Sequence, residues 1–328
     1  MRILYISAGQ APDYMCDMLF HGLRILLGAE VVDVNRMWFM YAQEFAEGGH
    51  DRSRLYGRGF TMYGLLEEDS GVDRTDISQK LRTRYFDLVI YGSVHRCRLL
   101  LDEVLAFYPP QRVLFVDGED EPDLVSPLLE CGIYFKREIA FEHRDLRPIG
   151  FAIPESRIGS VARQKSKLLA FIDPRDLRTY IYHDETDYYG DYAQSLFAVT
   201  TKKAGWDCLR HYEILANGCI PYFPDLDDCP PATMVFFPKY ELLWAKSLIE
   251  SRGLEFFDTR EGRTIWQGLE QRVEAIFRRH STTLALAHYV LETAAWLGDQ
   301  PACSVLPAGS IPAARSSGLI ALPSLQTA

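Results

Sequence analysis

The sequence predicts an α/β protein built as two consecutive strand–helix halves, and three observations predict it. Short apolar, β-branched and aromatic runs alternate with stretches whose apolar residues recur at helical spacing, which is the signature of parallel βαβ units with right-handed crossovers. A polar stretch at Glu155–Lys167 interrupts this alternation, which then restarts. The chain has 328 residues, enough for each half to bury a core of its own.

The elements follow in order. Met1–Ser7 reads as a strand, and Asp17–Leu27 places Met18, Leu19, Leu23, Leu26 and Leu27 at helical spacing. Glu30–Val34 is the next strand. From Gly48 to Asp76 the chain is rich in glycine and charge with little periodicity, a long excursion. Phe86–Tyr91 and Arg112–Val116 are continuous apolar runs separated by a helix at Leu99–Phe107, as expected of central strands covered on both faces. Beyond the linker, strands are expected at Leu168–Ile172, Thr179–Tyr182, Leu196–Thr200 and Cys219–Phe223. Ile265–Leu297 reads as one or two helices with a break around His280–Thr283. The expected units are therefore 1–154, 168–264 and a helical 265–299. Residues 300–328, rich in Pro, Ala, Ser and Gly, are expected to form a disordered tail.

Composition narrows the function classes. A hydrophobic fraction of 48% with 24% charged residues is ordinary for a folded globular chain. No apolar run approaches the roughly 18 residues of a membrane span. The start, MRILYISAG, lacks the apolar core of a signal peptide, so a cytoplasmic location is expected. Seven scattered cysteines, an odd number without a Cys-x-x-Cys pair, read as reduced thiols. A net charge of −10 disfavours nonspecific attraction to nucleic acid or anionic lipid.

The stretch Ser195–Asp225 carries the most chemistry. A buried strand is followed by the loop Lys202-Lys203-Ala204-Gly205-Trp206-Asp207, a helix over Cys208–Ala216 with Asp207 as its expected cap, and a stop at Asn217-Gly218. Strand, loop and helix in that order aim the helix N-terminus out of the carboxyl edge of the sheet. There, free N–H groups and the dipole favour an anion such as pyrophosphate. Lys202 and Lys203 add positive charge. Arg210, Glu213 and Asn217 share one face, with Glu213 placed to accept two ribose hydroxyls. The plain alternative is an exposed Arg210–Glu213 ion pair, worth about 0.2–0.5 kcal/mol.

The pattern Ser195-x-Phe197, Gly205, Arg210-x-Tyr212-Glu213 and Gly218-Cys219-Ile220-Pro221 resembles the C-terminal half of exostosin-type glycosyltransferases. More broadly it is similar to the donor domain of GT-B enzymes. The resemblance spans about a tenth of the chain, and the loop between Gly205 and Arg210 looks shorter than in that family. It implies two Rossmann-like domains facing across a cleft, a nucleotide-sugar donor and no active-site metal. It further implies that Glu213 holds the donor nucleotide and Arg210 its phosphates. The first half would take the acceptor, whether glycan, protein, small molecule or nucleic acid.

An inverting sugar transfer also needs a base for the acceptor proton. The carboxyl ends of the first-half strands, where α/β sites lie, offer Asp13, His95, Asp117, Glu119 and Asp120. Glu119 and Asp117 rank first as catalytic candidates, then His95, then Asp13. Other signals are set aside. His143-Arg144-Asp145-Leu146 imitates a kinase catalytic loop without its companions, no Gly-rich dinucleotide fingerprint or Walker A loop is present, and Asp225–Asp228 reads as a loop rather than a metal site. The cluster Tyr180, Tyr182, Tyr188, Tyr189 and Tyr192 reads mainly as core or interface rings.

Overall fold

The computed structural model describes residues 1–67, 71–141, 143–160 and 165–298. The expected tail, and part of the linker, lie outside these. The chain is α/β, with two parallel sheets. In the first, the strands β1 (Ile3–Ile6), β2 (Val31–Asp33), β3 (Leu88–Tyr91), β4 (Val113–Asp117), β5 (Ile133–Lys136) and β6 (Leu146–Pro148) lie in the order β2-β1-β3-β4-β5-β6. Helices α1 (Tyr14–Leu27), α2 (Ile77–Arg82) and α3 (Leu101–Phe107) connect them. All four residues of β1, and all four of β3, are buried, which is why both read as unbroken apolar runs.

The second sheet is smaller. It holds β7 (Lys167–Leu169), β8 (Ser195–Val199) and β9 (Ile220–Tyr222), with α4 (Glu185–Gln194) before β8 and α5 (Leu209–Ala216) before β9. The strand expected at Thr179–Tyr182 is absent. Leu177–Thr179 is instead a 3-10 turn, capped by Asp176, with the Thr179 hydroxyl bonding back to the carbonyls of Asp173 and Asp176. Such local side-chain bonds satisfy the backbone without a sheet partner. In the first half β5 and β6 go beyond the expected strands, and both are short. The excursion contains the 3-10 turns Arg52–Arg54 and Tyr56–Gly59.

Three helices close the described chain: α6 (Lys239–Arg252), α7 (Arg260–His280) and α8 (Thr283–Gly298). The break between α7 and α8 falls at Ser281-Thr282, where Thr282 bridges to Ile153. This bend sends the two helices to different halves. The Trp266 indole on α7 donates to the Leu196 carbonyl in β8 at 3.1 Å, whereas α8 returns to pack along α1. Tyr289 donates to the Pro148 carbonyl at 2.8 Å. One apolar core therefore runs through both halves, from Ile3 and Leu88 to Phe197 and Ile220, and a second covers the opposite face of the first sheet. Among the described residues no helix is long and apolar enough to cross a membrane.

The α1–α8 contact depends on Gly22, where a methyl group would fall inside the Thr283 carbonyl. Because that obstacle is backbone, Gly22→Ala should destabilise by about 1–3 kcal/mol, the usual cost of overpacking. Gly190 in α4 has open space around it. Gly190→Ala should gain about 0.5–1 kcal/mol from helix propensity alone. Denaturant unfolding of the two variants checks both; a neutral Gly22→Ala would mean that the helices separate at little cost.

Candidate functional site

The carboxyl end of β4 carries the first group of expected residues. Asp117 is fully buried, and its oxygens are occupied. Oδ1 accepts from Lys136 Nζ at 2.8 Å and from the Glu119 N–H at 3.3 Å, and Oδ2 accepts from the Tyr134 hydroxyl at 2.6 Å. The His95 Nε2 lies 2.9 Å from the same Oδ2. Asp117 is thus the counter-ion of a buried lysine and the group that orients His95, whose side chain stays part-exposed. With Nε2–H directed at the carboxylate, Nδ1 is the ring atom free to take a proton.

Asp13 and Glu119 are brought together by one cation. Arg96 lies 3.3 Å from Asp13 and 3.0 Å from Glu119. Asp13 also caps α1, accepting from the Cys16 N–H. A small pocket at the ends of β1 and β3 adjoins them, lined by residues that include Ser7, Gly9, Asp13, Asp17, Ser93 and Arg96. It sits where the strand order reverses, the place ligands favour in open α/β sheets.

The second group sits at α5. Asp207 is not the helix cap; Cys208 takes that position and no side chain caps the helix. The Asp207 carboxyl, buried, instead accepts from the Phe151 N–H at 2.7 Å and the Tyr212 hydroxyl at 2.7 Å. Nor do Arg210 and Glu213 form an exposed pair: all eight residues of α5 are buried, and the two side chains find different partners. Arg210 donates to the Tyr180 hydroxyl at 2.7 Å and approaches the Cys208 sulfur at 3.6 Å, and its Nε has no hydrogen-bond partner. Among the described residues no carboxylate pairs with this guanidinium. Lys202 and Lys203 are exposed in the loop before α5, Lys202 over the Trp206 ring and Lys203 over the Tyr180 ring that Arg210 bonds. Glu213 accepts from Thr61 Oγ1 at 2.6 Å and Tyr188 at 2.7 Å. Burial pushes its carboxyl above the usual range, and those two hydroxyls pull it partly back.

The two groups are joined by residues the motif reading passes over. Arg137, directly after β5, is 1% exposed. It bonds Asp120, Glu138 and the carbonyls of Gly118 and Asp207, and lies 4.7 Å over the Phe151 ring. Glu138 in turn accepts from the Asp207 N–H at 2.9 Å. A side chain at Gly205 would collide with Glu138 and Asp120, so the lysine loop of the second half rests on the acidic turn of the first. One signal could have found this cluster: Lys136-Arg137-Glu138 closes the apolar run Ile133-Tyr134-Phe135, as Asp117 closes its own strand.

No known family's sequence pattern matches the chain, and no curated protein matches it. Among solved structures it is similar to an alpha-glucosyltransferase in complex with UDP and a 13-mer DNA containing a HMU base. The match has 11% identity and a TM-score of 0.43, and covers 90% of this chain and 99% of that one.

His211 braces the loop from within α5, with Nδ1 2.8 Å from the Thr200 hydroxyl and Nε2 2.9 Å from the Trp206 carbonyl. Burial, helped by the charge of Arg210, lowers its pKa to about 3. The unfolded chain, with a histidine pKa near 6.5, therefore takes up the proton first. Stability from the neutral ring is present above about pH 6.5 and is lost as the pH falls toward 3. Unfolding free energies measured from pH 7 to 4 should fall more steeply for the wild type than for His211→Gln, by up to about 1.36 kcal/mol per pH unit. Parallel curves would show that His211 titrates normally in the folded protein.

Proposed function

We propose that the chain is a glycosyltransferase that moves a sugar from a nucleoside-diphosphate donor to an acceptor, with inversion and without an active-site metal. Residues 168–264 would hold the donor and residues 1–154 the acceptor, in a GT-B-like arrangement. The observation that carries this reading is Arg210, a buried guanidinium that has no carboxylate partner among the described residues, at the uncapped start of α5, with Lys203 over the Tyr180 ring that Arg210 bonds and Lys202 next to it in the loop. A buried cation left in that state is costly, and a cation in the first turn opposes the helix dipole. A diphosphate relieves both. The same three cations and the α5 N–H groups would stabilise the charge that grows on the departing diphosphate, as a metal does elsewhere.

The acceptor oxygen attacks the anomeric carbon while the bond from that carbon to the phosphate oxygen breaks. The acceptor proton passes to a base, and the nucleoside diphosphate leaves. His95 Nδ1 is the base we favour, in the loop after β3 and oriented by Asp117, the first residue of the acidic turn that meets the lysine loop. This reverses the order suggested by sequence, because Asp117 is committed to Lys136 and Tyr134. Glu119 and Asp13 share Arg96 and rank behind.

Titration of nucleoside diphosphates and nucleotide-sugars against the wild type and Arg210→Met tests the donor site. The variant should lose about 1.5–3 kcal/mol of binding, the worth of a hydrogen bond to a charged group; equal affinities would remove the anion site. His95→Ala should bind donor normally and slow turnover, including slow donor hydrolysis, by about 10²–10⁴-fold. Unchanged turnover would move the base to Glu119 or Asp13.

A further inference from the structure

Glu213, the carboxylate to which the donor ribose is assigned above, is already engaged. Its two oxygens accept from two hydroxyl groups, Thr61 Oγ1 at 2.6 Å and Tyr188 at 2.7 Å. Two neighbouring hydroxyls, one on each carboxylate oxygen, are what a ribose 2′,3′-diol would present. Tyr188 belongs to α4, packed beside α5. Thr61 does not; it comes from the first-half excursion, 152 residues away in sequence.

Thr61 is held in an unusual way. It is fully buried, and its φ of +71° is in the left-handed region, a true outlier for a β-branched residue. Gly57, Arg58 and Gly59 also have positive φ. The contacts that hold this conformation come from the second half. The Thr61 N–H donates to Glu185 at 2.6 Å, the hydroxyl reaches Tyr189 as well as Glu213, and the preceding Phe60 stacks on Tyr188 at 5.8 Å. A strained backbone kept in place by a few polar contacts has a second arrangement available once those contacts are replaced.

We propose that Thr61 is a donor-competing residue, whose hydroxyl occupies the ribose-diol position on Glu213 and must leave when a nucleotide seats. The inference rests on the nucleotide-donor reading above. It makes the excursion a determinant of donor affinity. A ribose releases the Thr61 backbone from its left-handed conformation as it takes over the carboxylate, and ligands lacking the diol leave the segment where it is.

The experiment titrates ADP, GDP, UDP and CDP against the full chain and against Thr61→Val, which keeps the shape and removes the hydroxyl. The tightest binder is then repeated as its 2′,3′-dideoxy form. Thr61→Val should bind the ribonucleotide several-fold more tightly than the wild type does, while affinity for the dideoxy form stays the same. Glu185→Ala, which frees the Thr61 N–H and leaves both hydrogen-bond partners of Glu213 in place, should shift binding in the same direction and covers the case in which Thr61→Val fails to fold. Weaker ribonucleotide binding in these variants would make Thr61 a support for Glu213 and overturn the inference. Equal changes for both nucleotide forms, or no change in either, would also overturn it, and in all these cases the nucleotide site stands. If neither the wild type nor any variant binds a nucleoside diphosphate, the donor reading fails and takes this inference with it.

Discussion

A guanidinium taken out of water costs several kcal/mol unless its hydrogen bonds and charge are met, and Arg137 is almost wholly buried at the join between the two halves. Its partners come from both sides. Asp120, Glu138 and the Gly118 carbonyl belong to the first half, and the Asp207 carbonyl to the second. Glu138 holds the Asp207 N–H as well, so both polar atoms of that peptide unit's residue are fixed by the end of β5. Asp207 stands two residues before α5. Pinning it sets where the helix begins, and with it the positions of Arg210, His211 and Glu213. The close contact of Gly205 with Asp120 and Glu138 follows from the same clasp.

Two buried arginines then differ in an informative way. Arg137 is matched by two carboxylates and two carbonyls. Arg210, the second residue of α5, has a tyrosine hydroxyl and a thiol, with its Nε unsatisfied among the described residues. The first is met within the fold, and the second is the group to which the proposed donor diphosphate is assigned. Across the join, Asp117 divides its carboxylate between a structural lysine and His95. The clasp therefore ties the start of α5 to the turn after β4 that carries the Asp117–His95 pair, and the proposed sugar transfer rests on both.

Much of this was legible in the sequence where the determinant is local. β1, β3, β4 and β8 appear as apolar runs because their residues are buried on both faces, and the Asn217-Gly218 stop of α5 depends only on backbone conformation. The strand expected at Thr179–Tyr182 fails for a local reason too, since Asp173 and Asp176 offer that backbone closer partners. What was not legible is pairing over distance. Asp117 stands out as a carboxylate after a strand, but that its partner is Lys136 depends on the register of β4 and β5. Arg137 meets Asp207 across 70 residues, and Thr61 meets Glu213 across 152. Helical spacing put Arg210 and Glu213 on one side of α5, but it could not show that Tyr180 and Tyr188 of the second half and Thr61 of the first would meet them there.

The most direct measurement is a crystal structure of the chain grown with a nucleoside diphosphate. The account predicts the diphosphate at the start of α5, with phosphate oxygens within hydrogen-bond distance of Arg210 and of a first-turn N–H, and the Arg137 clasp intact beside it. A nucleotide seated instead in the pocket at the ends of β1 and β3, with Arg210 still bonded only to Tyr180 and Cys208, would contradict it.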